Sequence, residues 1–166
     1  MFNIVMAVHK LILDDVFDEV DCTLIAIHCT IEDYRLAYLL NKHLGTNLTR
    51  KVSDLDYSAN KATYSIFEWE DEKQLTTWSL VSNICKTETY KQDNFNSLFN
   101  TEEKITQTIY LIPEHRAVNY FLKIDNEFNL NKEKNILNAI LKIDQIVTAF
   151  SVDINQLKSK DNLIFS

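Results

Sequence analysis

Residue types able to do chemistry gather most densely at Glu114, His115, Arg116 and Asn119. A carboxylate, an imidazole, a guanidinium and a carboxamide this close together could move a proton or hold an anion. The same stretch also has a structural reading. Pro113 has no N–H to give a ladder and so ends a strand, while Glu114 and Asn119 can accept from backbone N–H groups left open in a turn. The structural reading is favoured. His28 and Cys29 are adjacent on an apolar run, so they project to opposite faces of a strand and form no in-strand dyad. His28 reads as a hydrogen-bonded interior or half-buried histidine. Glu68, Glu70, Asp71 and Glu72 beside Trp69 could bridge a divalent cation. The alternating Asp/Asn and the Gly of a calcium loop are missing, however, and a solvated hairpin tip is favoured.

Other chemistries are excluded by what 166 residues with one Gly and one Pro lack. There is no G-x-G-x-x-G, Walker loop or G-x-S-x-G elbow, and no H-E-x-x-H or C-x-x-C. No metal, cofactor or catalytic residue is assigned. Cys22, Cys29 and Cys85 are odd in number and spaced unlike structural zinc ligands, which indicates reduced thiols in the cytoplasm. An excess of 24 acidic over 17 Lys and Arg residues, formally −7, argues against nucleic acid as a partner. The N-terminus has no basic region before its apolar run, and no stretch reaches 18 apolar residues, so neither a signal peptide nor a membrane span is expected.

Hydrophobic spacing indicates the elements that must position these residues. Residues 8–13 read as a short strand before an acidic stretch, and 23–30 as a central strand buried on both faces. Thr30 and Asp33 resemble a capping box for a helix over 31–44, with Leu36, Ala37, Leu40 and Leu44 facing the core. Gly45 falls where a left-handed residue ends a helix. Residues 46–61 connect, tacked down by Leu48, Val52, Leu55 and Tyr57. Residues 62–70 and 75–85 form an antiparallel hairpin, the second run being open to a partly helical reading. The polar stretch 86–104 reads as a mobile loop pinned by Phe95, Leu98 and Phe99. Strands at 105–112 and 119–127 flank the Pro113 turn as antiparallel neighbours. Asn131 caps a second helix that buries Ile136, Leu137, Ile140, Leu141 and Ile143. Residues 146–154 form the last strand, and the tail docks through Leu157, Leu163, Ile164 and Phe165.

The run Ile112, Pro113, Glu114, His115, Arg116, Ala117, Val118, Asn119, Tyr120 resembles the motif of the IPExxxVDY family, an uncharacterised bacterial family. The likeness extends to residues 6–11, 32–41, 64–69 and 153–163, and so to nearly the whole chain. It supports Met6 as the usual first residue, with 1–5 upstream, and implies no activity. Asn119 stands where the motif has Asp, which puts in doubt any role that needs a carboxylate there.

The expected fold is α+β: a single domain over 1–166, mainly antiparallel sheet, with two principal helices packed on one face. With 46% hydrophobic residues and a core-sized length, it should bury roughly 70% of its unfolded surface. Two functions remain open. One is a non-enzymatic cytoplasmic interaction module that takes a protein partner or a second copy of itself. The other is a small-ligand binder or enzyme with a pocket near Glu114–Asn119.

Overall fold

The computed structural model describes residues 22–57, 61–91, 103–125 and 130–165. The strand expected at 8–13 and the tacks Phe95, Leu98 and Phe99 lie outside them.

A strand can be apolar on both faces only if both are covered, and β1 (Thr23–Cys29) is. Its Ile25 and Ile27 join one buried cluster, and its Leu24 and Ala26 the other. It pairs antiparallel with strands on both sides, in a six-stranded sheet ordered β10-β1-β9-β6-β5-β2. The other strands of that sheet are β2 (Thr49–Arg50), β5 (Ile66–Asp71), β6 (Thr76–Ser82), β9 (Tyr120–Asp125) and β10 (Ile146–Val152). Every pairing in it is antiparallel. Two helices complete an α+β fold, α1 (Asp33–Leu44) and α2 (Leu130–Leu141).

The first cluster gathers Leu36, Ala37 and Leu40 of α1 with Ile136 and Ile140 of α2, against Ile25, Ile27, Leu80 and Leu122 of the sheet. The second, on the opposite face, is filled by Ala62 and Tyr64 of β4 (Ala62–Tyr64), by Leu111, Ile112 and Val118, and by Ile154, Leu157 and Leu163 near the C-terminus. Among the described residues β4 pairs only with β3 (Leu55–Tyr57). β7 (Ile84–Lys91) and β8 (Glu103–Tyr110) form a third, separate sheet of two strands. Among the described residues no helix is long and apolar enough to cross a membrane.

Several boundaries depart from the sequence reading. α1 begins at Asp33 after Glu32, whose carbonyl accepts the N–H of Leu36 at 3.0 Å, and no side chain caps it. Thr30 therefore lies outside the helix, and the Asp33 carboxylate accepts from the adjacent Tyr34 N–H instead. Asn131 lies inside the first turn of α2 rather than capping it, and Leu141 points to solvent at 46% exposure. Val52 is fully exposed, whereas Leu48 is buried. The hairpin of β5 and β6 turns over residues 72–75, one later than expected, because Leu75 adopts a positive φ of 53° just before the Asp71–Thr76 pair. Its runs break at Ser65 and Asn83, each change passing the chain to another sheet. The last strand ends at Val152, and Ile164 is exposed while Leu157 and Leu163 are buried.

The stretch 86–104 is corrected most. Residues 86–91 and 103–104 are strand, paired residue for residue from Lys86 with Thr108 to Lys91 with Glu103. Their composition hid this, because an arm with water on both faces carries no apolar alternation to read.

Gly45 ends α1 with φ 70°, its N–H donating to the Asn41 carbonyl at 3.0 Å. The Asn41 carboxamide holds the exit, accepting from Thr46 Oγ1 and the Leu48 N–H and donating to the Leu48 carbonyl. Nothing lies within 4 Å of where a Cβ would sit at Gly45, so a substitution there pays only for its backbone. Gly45→Val should lose about 1–2 kcal/mol in denaturant unfolding. Gly45→Asn should lose less, because Asn tolerates the left-handed region.

Candidate functional site

The segment from Leu111 to Tyr120 carries the motif, and it is not a hairpin. β8 pairs with β7, and β9 with β1 and β6, so the segment crosses between two sheets. Pro113 opens a single 3-10 turn (Pro113–His115). Ile112 and Val118 on either side of it are buried in the second cluster.

Asn83, fully buried between β6 and β7, organises this crossing. Its Nδ2 donates to the carbonyls of His115 and Val118, both at 2.9 Å, and its Oδ1 accepts the Ile112 N–H at 2.8 Å. Its own N–H donates to the Asn119 carbonyl and its carbonyl accepts the Leu111 N–H. Sequence reading missed this role. The available signal was a carboxamide in the middle of an apolar, β-rich run, where an unpaired side chain would be costly.

The structure disperses the four candidate groups. Glu114 reaches the C-terminal segment: its Oε1 accepts the Ser159 N–H at 2.9 Å and its Oε2 the Ser159 hydroxyl at 2.6 Å. The Arg116 guanidinium lies over the Tyr110 ring, 5.7 Å from its centroid. The His115 ring packs against Phe121 and Phe150, with centroids 6.3 and 5.9 Å away. Asn119 turns to β1. Glu114 also accepts from its own backbone N–H in the turn, as the sequence reading has it; Asn119 instead takes the Cys29 N–H, and both tie the turn to remote chain.

Asn119 meets His28. Its Oδ1 accepts from His28 Nδ1 at 2.7 Å and from the Cys29 N–H at 3.1 Å. A carboxamide oxygen can only accept, so Nδ1 carries a proton. The backbone N–H of Cys29 fixes which way the amide points, so the tautomer follows from geometry. This arrangement could orient an imidazole as a base or metal ligand. No group of three His, Cys, Asp or Glu side chains able to hold a metal occurs among the described residues.

The Cys29 thiol is buried, and burial pushes its pKa up, away from thiolate chemistry. No disulfide joins the cysteines. Tyr120 donates its hydroxyl to the Ile31 carbonyl at 2.8 Å, and burial raises its pKa as well. In the acidic cluster Glu68 pairs with Lys51 at 3.3 Å, while Asp71 accepts the N–H groups of Lys73 and Gln74 in the hairpin tip. Two open grooves, about 510 and 550 Å³, meet at Trp69 and Glu70. Neither includes any residue of the 114–119 stretch.

No family model, no curated protein and no solved structure matches the chain.

Two outcomes follow from these contacts. The Ser159 hydroxyl, opposed by burial and helped by the backbone N–H groups of Glu114, Ser159 and Lys158, holds the Glu114 carboxyl down to about 2 from its ordinary 4.5. A lowered carboxyl pKa stabilises the fold above its unfolded value and loses that contribution as pH falls through the folded one. The stability difference between wild type and Glu114→Ala should therefore be largest above pH 4.5 and vanish towards pH 2. Solvent limits it to about 1 kcal/mol or less, and acid titration of thermal unfolding checks it. For His28, nitrogen-15 spectra at neutral pH should show the Nδ1–H tautomer. Asn119→Leu should abolish that preference and cost about 1–2 kcal/mol through the orphaned Cys29 N–H.

Proposed function

We propose that the protein is a non-enzymatic, cytoplasmic protein-interaction module, and that the arm formed by β7 and β8 is its contact element. The carrying observation is the arm's exposure. From Lys86 outward every described residue of both strands is exposed to solvent except the half-buried Thr87, up to Thr108 on the return. Among the described residues the arm is anchored at its base, by Cys85 and Ile109 in the second cluster.

A two-stranded ribbon with water on both faces is marginal by itself, and a third strand or a packed face is what secures one. A partner supplies either. Tyr90 (61% exposed) and Ile105 (41%) stand on opposite faces of the ribbon, so the arm offers apolar contact on both sides. Its charges are of both signs, Lys86, Lys91 and Lys104 against Glu88 and Glu103, with Lys104 and Glu88 paired at 2.8 Å. That mixture suits a protein surface better than a phosphate backbone. The resemblance to the IPExxxVDY family supplies no activity that would compete with this reading.

A small-ligand or enzymatic role near Glu114–Asn119 is the second reading, and one observation favours it: the hydrogen bond by which Asn119 orients the His28 ring. Against it, Glu114, His115 and Arg116 are each engaged elsewhere.

Exchanging Tyr90 and Ile105 for Ser should leave unfolding stability within about 0.5 kcal/mol, because both are surface positions. In affinity purification from the native cell the wild type should retain a protein partner that the double variant loses. The reading fails if no protein is retained, or if the variant retains the same one.

A further inference from the structure

We propose that the two grooves meeting at Trp69 form one binding site for a neutral saccharide chain, with the Trp69 ring as its stacking platform. The site lies apart from the arm and from the 114–119 stretch, so the proposal stands independently of the role given to the arm.

Trp69 stands on β5 directly across from Trp78 on β6, their ring centroids 6.0 Å apart and tilted by 43°. Trp78 is buried and donates its indole N–H to Thr76 Oγ1 at 3.2 Å. Trp69 packs against the first core cluster yet is only half-buried, and its indole N–H has no hydrogen-bond partner among the described residues. The first groove lies between residues 47–53 and Glu68–Glu70. The second lies between the end of α1, the hairpin tip and the start of α2. At about 510 and 550 Å³ each has the size of a ligand site. Because they share Trp69 and Glu70, a chain of several units can lie across both.

Charge narrows the class of occupant. Arg50 and Lys51 line the first groove with Glu68 and Glu70, and Lys73 and Lys132 line the second with Glu70, Asp71 and Glu72. Four cations and four carboxylates leave the whole lining without net charge, on a chain that is formally −7. A polyanion would meet the carboxylates and a polycation the ammonium groups, so the site complements neither.

Hydrogen-bonding capacity narrows it further. Among the described residues the side chains of Glu70, Glu72 and Lys73 make no hydrogen bond or ion pair. A carboxylate needs a donor, an indole or ammonium N–H needs an acceptor, and a hydroxyl is both. A pyranose ring also presents a face of C–H groups, whose slight positive charge suits the negative face of an indole. Beyond Trp69 and the exposed Val52, the first groove is lined by polar side chains alone. It therefore gives a peptide no apolar pockets for its side chains. A ring with many hydroxyls and one stacking face meets all of these requirements together.

Isothermal titration of the full chain with cellohexaose, maltohexaose and hexa-N-acetylchitohexaose tests the proposal. At least one should bind saturably with a Kd of about 1 mM or tighter, modest because an open groove buries only part of its ligand. On binding, the Trp69 indole N–H resonance should shift more than that of Trp78, which Thr76 already holds. Glu70→Ala, at an exposed position, should weaken binding by about fivefold or more while leaving the melting temperature unchanged. Trp69→Leu keeps an apolar side chain against the core and should abolish binding; if it fails to fold, the Glu70→Ala titration and the indole resonances decide. Tyr90→Ser with Ile105→Ser should bind the same oligosaccharide as tightly as the wild type, so failure of the arm and failure of the groove give different results. Absence of saturable binding by all three oligosaccharides overturns the proposal. So does binding of hexalysine or heparin in their place, or oligosaccharide binding that both groove variants leave unchanged.

Discussion

The carboxamide of Asn83 is the interaction on which the surrounding structure depends. It is wholly buried, both its N–H groups donate, and its oxygen accepts. Satisfied in this way, it lets the chain leave the six-stranded sheet at Ser82 and enter the arm at Ile84 without a stranded polar group. The partners it holds, at Ile112, His115 and Val118, span the motif-bearing turn. Each would cost about 1–3 kcal/mol if left buried and unpaired. The geometry of the 111–119 segment is thus set from outside, by a residue some thirty positions earlier in sequence.

Once that segment is held, the motif residues work as tethers, each to a different part of the molecule. Ile112 and Val118 enter the second core cluster. Glu114 grips Ser159, Asn119 grips the end of β1, and Tyr120 reaches Ile31 in the approach to α1. The Asn162 side chain adds a bond to the Leu111 carbonyl, and the Tyr57 hydroxyl donates to the Asn162 carbonyl. One short stretch therefore ties the sheet, the first helix and the C-terminal segment together. Dense chemical functionality here serves tertiary linkage, and a carboxamide at position 119 does what this linkage needs: it accepts two hydrogen bonds without bringing a charge into a half-buried place.

The same economy of charge shapes the surfaces. Lys123 is buried at 7% exposure, with its ammonium 2.8 Å from Asp125 and over the Phe165 ring. It is an exception that carries its own neutralising partner. Over the sequence as a whole the 24 acidic residues outnumber the 17 Lys and Arg, so copies of the chain repel one another at long range.

What the sequence determined by itself was everything that follows from local pattern. β1 is buried on both faces because its apolar run leaves no side for water, and Gly45 ends α1 because a lone glycine marks where a positive φ is needed. The core stripe Leu36, Ala37 and Leu40, and an α+β composition of strands, follow likewise from period. What only the tertiary structure decided was pairing across distance. Polar strands such as β7 and β8 have no hydrophobic period to betray them, and β8 and β9, adjacent in sequence, separate into different sheets because Asn83 and Asn119 pull the turn between them towards β6 and β1. The meeting of Asn119 with His28 belongs to the same class. A side-chain hydrogen bond spanning 91 residues leaves no periodic trace in the chain, because it depends on where two strands come to rest beside each other and not on the spacing of residues along either.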